Sequence, residues 1–402
     1  MTIKVFEHQT LRIGTSGFEQ RHFEYLSQIA PVKYFQLVHR SVRFSQYVGA
    51  VQVGDLTIEI LPKIDRRAEN KSLCRDVLLD MLRYCRLLKV ENLGTAQLGL
   101  KSHSILDLYY ELFLGNVEEI LHQGIYHDYH LKTANRKTLK GRLNFEQQIR
   151  ENWLHKERFF TSHHTFSTDN QLNRIISYTL QVLDSVELSA DLKFRLNAVK
   201  ARFPQFDFPK RLPNFERIRY NRQNLHYQNT MQIAQLLLLH YRPNLRTGKR
   251  SLIALLFDMN LLFEEFIFRQ LCTLRNAEFQ VSRQQQKEFW NKRYIRPDIL
   301  LVHEDRAYII DTKWKVLTAA KPSMSDLQQA FAYGQYFQAE NTILLYPQNQ
   351  HLVHLPPKLF QLPDSEQKHY CSIYFAELIK NGKLNLNIGK ELKAYYLKNR
   401  VK

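Results

Sequence analysis

The segment RPDILLVHEDRAYIIDTKWK, from Arg296 to Lys315, is the stretch that decides the expected fold and chemistry of this 402-residue chain. Its two apolar runs flank the polar tetrapeptide HEDR at 303–306, a pattern typical of two antiparallel strands joined by a tight turn. If Val302 pairs with Ala307 across that turn, the same register places Asp298 opposite Asp311. Two carboxylates would then share one face of the hairpin.

These opposed carboxylates predict a site for a divalent cation. Directly opposed Cβ atoms lie about 5 Å apart, and like charges there destabilise the pair unless a cation lies between them. Oxygen ligands suit Mg²⁺, which commonly binds one or two carboxylates together with substrate phosphate oxygens. Lys313 is two residues beyond Asp311, so the strand period places its ammonium on the same face.

This combination of groups predicts phosphodiester hydrolysis, with Asp298 and Asp311 as Mg²⁺ ligands and Lys313 as the residue that stabilises charge near the attacking water. The alternative is an ordinary surface hairpin, because PD followed by DxK also arises by chance. An unpaired carboxylate after the apolar run Tyr308–Ile310 would be costly, which favours the site.

The wider sequence resembles a known family. Asp298, Asp311 and Lys313 match the PD-(D/E)xK nuclease motif, and DLQQAFAYG at 326–334 has Gln329 and Tyr333 in the QxxxY arrangement of RecB-like nucleases. The further segments LFDMNLLFEEF, YVGAVQVGDLTIEILPKI, GRLNF and DNQLNRII are similar to segments of the McrC family. Members of that family are the nuclease subunits of McrBC modification-dependent (5-methylcytosine) restriction systems.

The resemblance implies additional site residues. Glu264 would supply an acidic metal ligand or support from the preceding helix, with Glu265 as the alternative, although either could be a solvated charge on an amphipathic helix. Gln329 and Tyr333 would assist the site.

The resemblance also implies an activity and a partner. The chain would be the Mg²⁺-dependent endonuclease subunit of a type IV restriction system, acting on modified double-stranded DNA and stimulating the GTPase of an AAA+ McrB-like ring. Two alternatives stay open: a non-catalytic DNA-binding adapter that activates such a GTPase, and a stand-alone RecB-like repair nuclease.

The chain itself is not expected to bind a nucleotide. The phosphate-loop pattern GxxxxGK[ST] is absent, and the nearest segment, PNLRTGKRS at 243–251, has Pro243 in place of the first glycine. The hairpin centred on Gly54, from Gln46 to Ile60, is the predicted contact with the ring, or else it closes a small β-barrel.

Changes of hydrophobic period predict an α+β multidomain protein. These changes divide the chain into a β-rich domain at 1–100, a helical and basic region at 101–245, and an α/β domain with a mixed central sheet at 246–402. The resemblance implies that the first domain docks the partner and that the third is the PD-(D/E)xK nuclease domain, while the basic charge of the middle region suits contact with DNA. A helix is also predicted over LIALLFDMNLLFEEFIFRQL, at 252–271.

The composition favours a polyanionic partner. Lys and Arg outnumber Asp and Glu by 57 to 39, a formal charge of +18, and each phosphate that a protein neutralises releases counterions. Basic residues with interleaved aromatics at 192–222 suit DNA backbone contact or form a solvated helix face, and 132–158 is similarly basic. With no signal-like or membrane-length apolar run, we expect a cytoplasmic protein without membrane contact.

Overall fold

The computed structural model describes residues 1–29, 33–64, 70–87, 104–207, 214–239, 241–242, 252–317, 319–348, 352–361 and 368–399. The chain forms two compact units. The first comprises residues 1–51, 56–93 and 256–402, and the second comprises 52–55 and 94–255. The α+β multidomain class is confirmed. The domain bounds 1–100, 101–245 and 246–402 stay a prediction, and the compact units group most of the first range with most of the third.

The N-terminal part of the first unit is rich in strands, as predicted. Its elements are β1 (Thr2–Phe6), β2 (Thr10–Arg12), α1 (Gln20–Ile29), β3 (Phe35–Val38), β4 (Ser41–Phe44), β5 (Tyr47–Val53), β6 (Leu56–Leu61) and α2 (Lys71–Tyr84). Strands β2, β4 and β3 form an antiparallel sheet, while β1 pairs in parallel with β6, which neighbours β5.

The hairpin predicted around Gly54 is present, and it belongs to the protein core. Every residue of β5 is buried, and every residue of β6 is buried except Thr57, which is half-buried. Gly54 has a φ of +60°, a conformation that glycine adopts without strain. The polar residues Gln52 and Glu59 of these strands are also buried, at 6% and 0% exposure, so the apolar–polar alternation does not mark a solvent-exposed face. The turn at Gly54 and Asp55 is therefore the accessible part, which leaves little surface for docking.

The second unit is mainly helical, as predicted, and it also contains a sheet that the hydrophobic pattern did not predict. Its helices are α3 (Ile105–Gln123), α4 (Phe145–Asn152), α5 (Gln171–Asp184), α6 (Ala190–Arg202) and α7 (Gln228–Leu239). Strands β7 (Asp128–Arg136), β8 (Arg142–Leu143) and β9 (Phe159–Ser167) form an antiparallel sheet in the order β7-β9-β8. These strands are hard to read from the sequence because polar residues occupy both faces of β7.

Part of the basic stretch at 192–222 is neutralised inside the second unit. Lys193 and Lys200 both pair with Asp184, at 2.7 and 2.6 Å, and Arg195 pairs with Glu118 at 2.8 Å. These three cations therefore form ion pairs between neighbouring helices. This agrees with the alternative that the basic stretch is a solvated helix face and not a DNA contact. Residues 208–213 of this stretch lie outside the described residues.

The C-terminal part of the chain contains the remaining elements. They are β10 (Tyr241–Arg242), β11 (Leu252–Asp258), α8 (Met259–Cys272), β12 (Phe279–Arg283), β13 (Lys287–Trp290), β14 (Arg293–Ile295), β15 (Ile299–His303), β16 (Arg306–Thr312), α9 (Met324–Phe337), β17 (Ala339–Pro347), β18 (Leu355–Leu359), β19 (Tyr370–Ala376), β20 (Ile379–Lys380), β21 (Lys383–Leu384) and α10 (Ile388–Lys398). Within the described ranges, no helix is long and apolar enough to cross a membrane.

The prediction of one helix over 252–271 is wrong for its first seven residues, which form β11. A continuous apolar run does not distinguish a buried strand from a buried helix by periodicity alone. The change of structure falls at Asp258, whose side chain accepts a hydrogen bond from the backbone N–H of Asn260 at 2.9 Å and so caps α8.

A six-stranded mixed sheet, in the order β12-β15-β16-β17-β19-β18, positions the site. Strands β12, β15 and β16 pair antiparallel, whereas β16, β17 and β19 pair in parallel. Helix α9 lies between β16 and β17 in sequence and packs against both strands. The mixed character of the predicted central sheet is therefore present.

Deleting residues 46–60 should unfold the first unit, because the deletion removes β6, which pairs with β1, and the buried strand β5 next to it. We expect the cooperative thermal transition, followed by circular dichroism, to disappear. The matched control Asp55→Asn changes a partly exposed turn residue and should alter stability by less than about 0.5 kcal/mol. A deletion variant that still unfolds cooperatively at the wild-type temperature would show that the hairpin is a separable module.

Candidate active site

The β15–β16 hairpin has the register that the sequence predicts. Val302 pairs with Ala307, and the last pair toward the site joins Ile299 to Ile310. Asp298 lies one residue beyond that pair. Its Oδ2 accepts hydrogen bonds from the backbone N–H and the hydroxyl of Thr312, at 2.8 and 2.7 Å. Because Thr312 follows Asp311, the two aspartates lie at the same end of the hairpin.

Asp311 is almost completely buried, with 1% of its surface exposed, because β16 is an interior strand of the sheet. The Nζ of Lys313 lies 2.7 Å from its Oδ2. Burial is the largest cause that raises the pKa of Asp311 to about 7; the charge of Asp298 raises it further, and Lys313 opposes both effects. The ionised carboxylate is thus held at an electrostatic cost that a bound cation would relieve.

Helix α8 contributes Glu264, whose side chain is buried at 8% exposure. Gln284 donates a hydrogen bond from Nε2 to its Oε1 at 3.1 Å. Burial first, and the charge of Asp298 second, raise the pKa of Glu264 to about 7. The neighbouring Glu265 instead forms ion pairs with Arg269 and Arg283. Of the two candidate glutamates, Glu264 is the one coupled to Asp298.

Helix α9 holds the lysine through a chain of hydrogen bonds. Lys313 donates from Nζ to Oε1 of Gln329 at 2.7 Å, and Gln329 donates from Nε2 to the hydroxyl of Tyr333 at 2.7 Å. The hydroxyl of Tyr333 in turn donates to the carbonyl of Arg296 at 3.0 Å. Gln329 and Tyr333 are one helical turn apart and share a face of α9. The QxxxY pair therefore connects the lysine to the start of the hairpin.

The structure brings all six sequence-predicted site residues into the first unit. Contacts link Asp298 to the Asp311–Lys313 strand end and link Lys313 to the Gln329–Tyr333 pair, while Glu264 couples to Asp298 through charge. Sequence reasoning missed Thr312 and Gln284, which fix the orientation of two of the carboxylates. Neither residue type is distinctive of a nuclease, so no pattern could have marked them.

The carboxylates of the site are candidate ligands for a metal ion. Among the described residues, no group of three or more His, Cys, Asp or Glu side chains is arranged to hold a metal. The charge of Asp298 nevertheless raises the pKa of both Asp311 and Glu264. Carboxylates that repel one another at a buried sheet end form a hard-oxygen donor set, which is the type that Mg²⁺ prefers. The donor chemistry at this strand end is therefore of the type that suits Mg²⁺.

Comparison with known proteins identifies the family of the chain. Residues 42–347 match the family described as McrBC 5-methylcytosine restriction system component. The chain belongs to this family. The matched range contains all six of the site residues, and the resemblance to McrBC systems is confirmed.

Two solved structures resemble this McrBC family member. One is the refined half-complex from a tetradecameric assembly of Thermococcus gammatolerans McrB AAA+ hexamers with bound McrC, with a TM-score of 0.72 and 19% identity over 100% of both chains. The other is the cryo-EM structure of the Thermococcus gammatolerans McrBC complex, with a TM-score of 0.53 and 20% identity over 69% of this chain and 89% of that chain. These matches show a shared fold. No curated protein matches the chain.

The contribution of Asp311 to the stability of the metal-free protein should be lost as pH rises. Its pKa is raised to about 7 in the folded chain, so the folded state keeps a proton there that the unfolded state releases near its ordinary, lower pKa. The contribution is complete in acid and disappears as pH passes through the folded-state value.

The wild-type protein should lose free energy of unfolding as the pH rises from about 5 to about 8. In Asp311→Asn this loss should be smaller by roughly 1–3 kcal/mol, as measured by urea unfolding in EDTA. The control Asp305→Asn, at the exposed turn of the same hairpin, should leave the pH dependence as in wild type. Equal losses for wild type and Asp311→Asn would contradict the assigned electrostatic cost.

Proposed function

We propose that this chain is the Mg²⁺-dependent DNA endonuclease subunit of a McrBC-type restriction system, hydrolysing phosphodiester bonds in modified double-stranded DNA. The observation that carries the proposal is the meeting of Asp298, Asp311 and Lys313 at one strand end, with the Lys313 ammonium 2.7 Å from the Asp311 carboxylate. Membership of a 5-methylcytosine restriction family supports DNA as the substrate. The formal charge of +18 is also suited to a polyanion.

Asp298, Asp311 and Glu264 are the residues that would hold Mg²⁺. When bound, the ion would lower the pKa of a water molecule and neutralise charge on the phosphoryl oxygens. Proton release from Asp311 and Glu264, whose pKa values are raised to about 7, would accompany ion binding.

Lys313 would stabilise the negative charge that develops on the phosphate in the transition state. Its ammonium donates a hydrogen bond to Gln329 and forms an ion pair with Asp311. An ammonium has three N–H donors, so Lys313 can also donate to a phosphate oxygen or to the attacking water. Only 16% of the side chain is exposed, so water screens its charge weakly and its effect on the reaction is large.

The partner of the endonuclease would be an AAA+ McrB-like GTPase ring whose GTP hydrolysis the chain stimulates. Both structures with a shared fold are complexes of McrBC components, and one holds McrB AAA+ hexamers with bound McrC. Because the strands of the Gly54 hairpin are buried and its turn offers little surface, we propose a different docking surface, on helix α4 of the second unit.

Helix α4 turns polar side chains inward and apolar side chains outward, the reverse of a usual surface helix. Its polar residue Asn152 is 3% exposed and exchanges two hydrogen bonds with Asn135, at 2.7 and 2.9 Å. Gln148 also points inward, because it accepts from the backbone N–H of Phe160 and donates to the carbonyl of Arg158. Surface helices normally turn their apolar face inward. In this helix the hydrogen-bonded polar side faces the protein.

The outward side of this segment is apolar. Phe145, Ile149, Trp153 and Leu154 have 72%, 62%, 74% and 85% of their surfaces exposed. Spacings of four residues place the first three on one side of the helix. We name these four residues the α4 apolar surface. Exposed apolar clusters of this kind mark sites of protein association. A ring subunit is the proposed occupant, because the structure with a shared fold holds McrB AAA+ hexamers with bound McrC.

Lys313→Ala and Asp311→Asn should each lower the rate of DNA cleavage by at least about 100-fold, since each removes a group used mainly in the transition state. The assay is initial-rate cleavage of modified DNA with Mg²⁺, GTP and the ring partner. The matched control is Lys315→Ala, because Lys315 lies two residues further on, has 52% of its side chain exposed and pairs with Asp326. Wild-type cleavage by Asp311→Asn would refute the site, and inactivity of the wild-type protein would favour the adapter function.

Trp153→Asp should abolish assembly with the ring and stimulation of its GTPase, because a charge would be buried in the proposed interface. The matched control is Phe194→Asp, an equally exposed aromatic of the second unit at 76% exposure that lies outside the α4 apolar surface. Asp298→Ala should retain stimulation while losing cleavage. Normal assembly by Trp153→Asp, measured by sedimentation with the ring, would exclude this surface, and loss of DNA binding alone would assign it to DNA instead.

A further inference from the structure

Trp314, the residue directly after Lys313, is held by a residue from the start of the chain. Its indole Nε1 donates a hydrogen bond to Oε1 of Glu7 at 2.7 Å, across 307 residues of sequence. The same oxygen accepts from the backbone N–H of Lys63 at 2.7 Å. The ring of Phe263 packs edge-on against Trp314, with 5.2 Å between centroids. Glu7 and Trp314 are 3% and 8% exposed, so the contact is internal to the first unit.

The Glu7–Trp314 contact lies just after the end of the strand that carries Asp311. Strand β16 ends at Thr312, and Lys313 makes one further sheet hydrogen bond, from its N–H to the carbonyl of Leu345 at 2.8 Å. The chain then turns, with the N–H of Lys315 donating to the carbonyl of Lys313 at 2.9 Å. The next firmly fixed group is the indole of Trp314. Rotation of this turn would move the Lys313 ammonium away from its partners.

Core packing alone does not account for Glu7. Burial raises the pKa of its carboxyl group to about 7, against the opposing hydrogen bonds from Trp314 and Lys63. Its Oε2 has no hydrogen-bond partner in the described part of the chain. A buried carboxyl group with one unpaired oxygen is destabilising relative to an apolar side chain. What the carboxyl group supplies is a fixed acceptor for the indole N–H.

We infer that Glu7 is a positioning residue for the proposed nuclease reaction, holding the Trp314 indole and thereby the turn that carries Lys313. Glu7 does not touch the substrate. The inference rests on the proposed function for the reaction, whereas its structural half, the effect of Glu7 on Lys313, can be measured in the chain alone. Under this inference, the residue that follows β1 contributes to the geometry of the nuclease site.

Two variants test the contact from its two ends. Glu7→Ala removes the acceptor, and Trp314→Phe removes the N–H donor while keeping an aromatic ring against Phe263. Each should lower kcat for DNA cleavage by about 10- to 100-fold with KM within about twofold, because a small displacement of a catalytic group lowers the rate of the chemical step. The double variant should be no slower than the slower single variant. Glu7→Gln retains an Oε1 acceptor and should restore most of the rate.

Amine labelling provides a readout that does not depend on activity. In the full chain without a partner, an amine-reactive reagent should modify Lys313 several-fold faster in Glu7→Ala than in wild type. The reason is that the ammonium would no longer be held by Asp311 and Gln329. Mass spectrometry would measure the rate of modification. The matched control is Glu59→Gln, another buried carboxylate, on β6 and paired with Arg75 at 3.3 Å. It should leave both kcat and Lys313 labelling unchanged in the folded fraction.

The two claims fail in different ways. Inactive wild-type protein in the presence of the ring would refute the proposed function, and the labelling of Lys313 would still decide the role of Glu7. A folded Glu7→Ala protein with wild-type kcat and wild-type Lys313 labelling would overturn the inference. Equal losses in Glu7→Ala and Glu59→Gln would also overturn it, because they would indicate general destabilisation. If Glu7→Ala does not fold, Trp314→Phe carries the same test.

Discussion

The burial of Asp311 beside Asp298 is the constraint on which the rest of the site depends. A carboxylate with 1% of its surface exposed, next to a second carboxylate, is unfavourable unless positive charge is supplied. Lys313 supplies part of that charge at 2.7 Å, and a bound divalent cation would supply more. The surrounding elements hold this unfavourable arrangement in place: the hairpin register places the aspartates, and α9 holds the lysine through Gln329.

The two units carry different kinds of surface. The first unit contains the carboxylate and lysine cluster together with the buried Glu7–Trp314 contact. The second unit has a helix whose polar side faces inward and whose apolar side faces outward. It also uses several of its basic residues in internal ion pairs, such as Arg195 with Glu118. In our proposal the first unit cuts DNA and the second unit engages the partner ring.

The sequence predicted the local geometry of the candidate site better than it predicted the elements around it. The β15–β16 register followed from a period of two and a short polar turn, and the structure has that register. The helical spacing of Gln329 and Tyr333 predicted a shared face of α9, and the two side chains are hydrogen-bonded there. These features depend on local geometry, which the order of residues sets directly.

The features that were missed depend on tertiary contacts. The apolar run Leu252–Asp258 is compatible with a buried strand and with a buried helix. The sheet that it joins determines that it forms a strand. Strands β7 and β9 have no clear apolar face, so their period was not visible. The Glu7–Trp314 contact joins residues at opposite ends of the chain, and no local pattern encodes it. The choice between Glu264 and Glu265 likewise required the fold, which pairs Glu265 with two arginines.

The most direct test of the central claim is anomalous X-ray diffraction from crystals of the chain soaked in Mn²⁺, an ion that takes the same hard oxygen ligands as Mg²⁺. We predict one strong anomalous peak among the carboxylates of Asp298, Asp311 and Glu264, beside the Lys313 ammonium, and its loss in Asp311→Asn. Peaks found only elsewhere on the protein, or no peak at this cluster at saturating Mn²⁺, would contradict the claim that these carboxylates form a divalent-cation site.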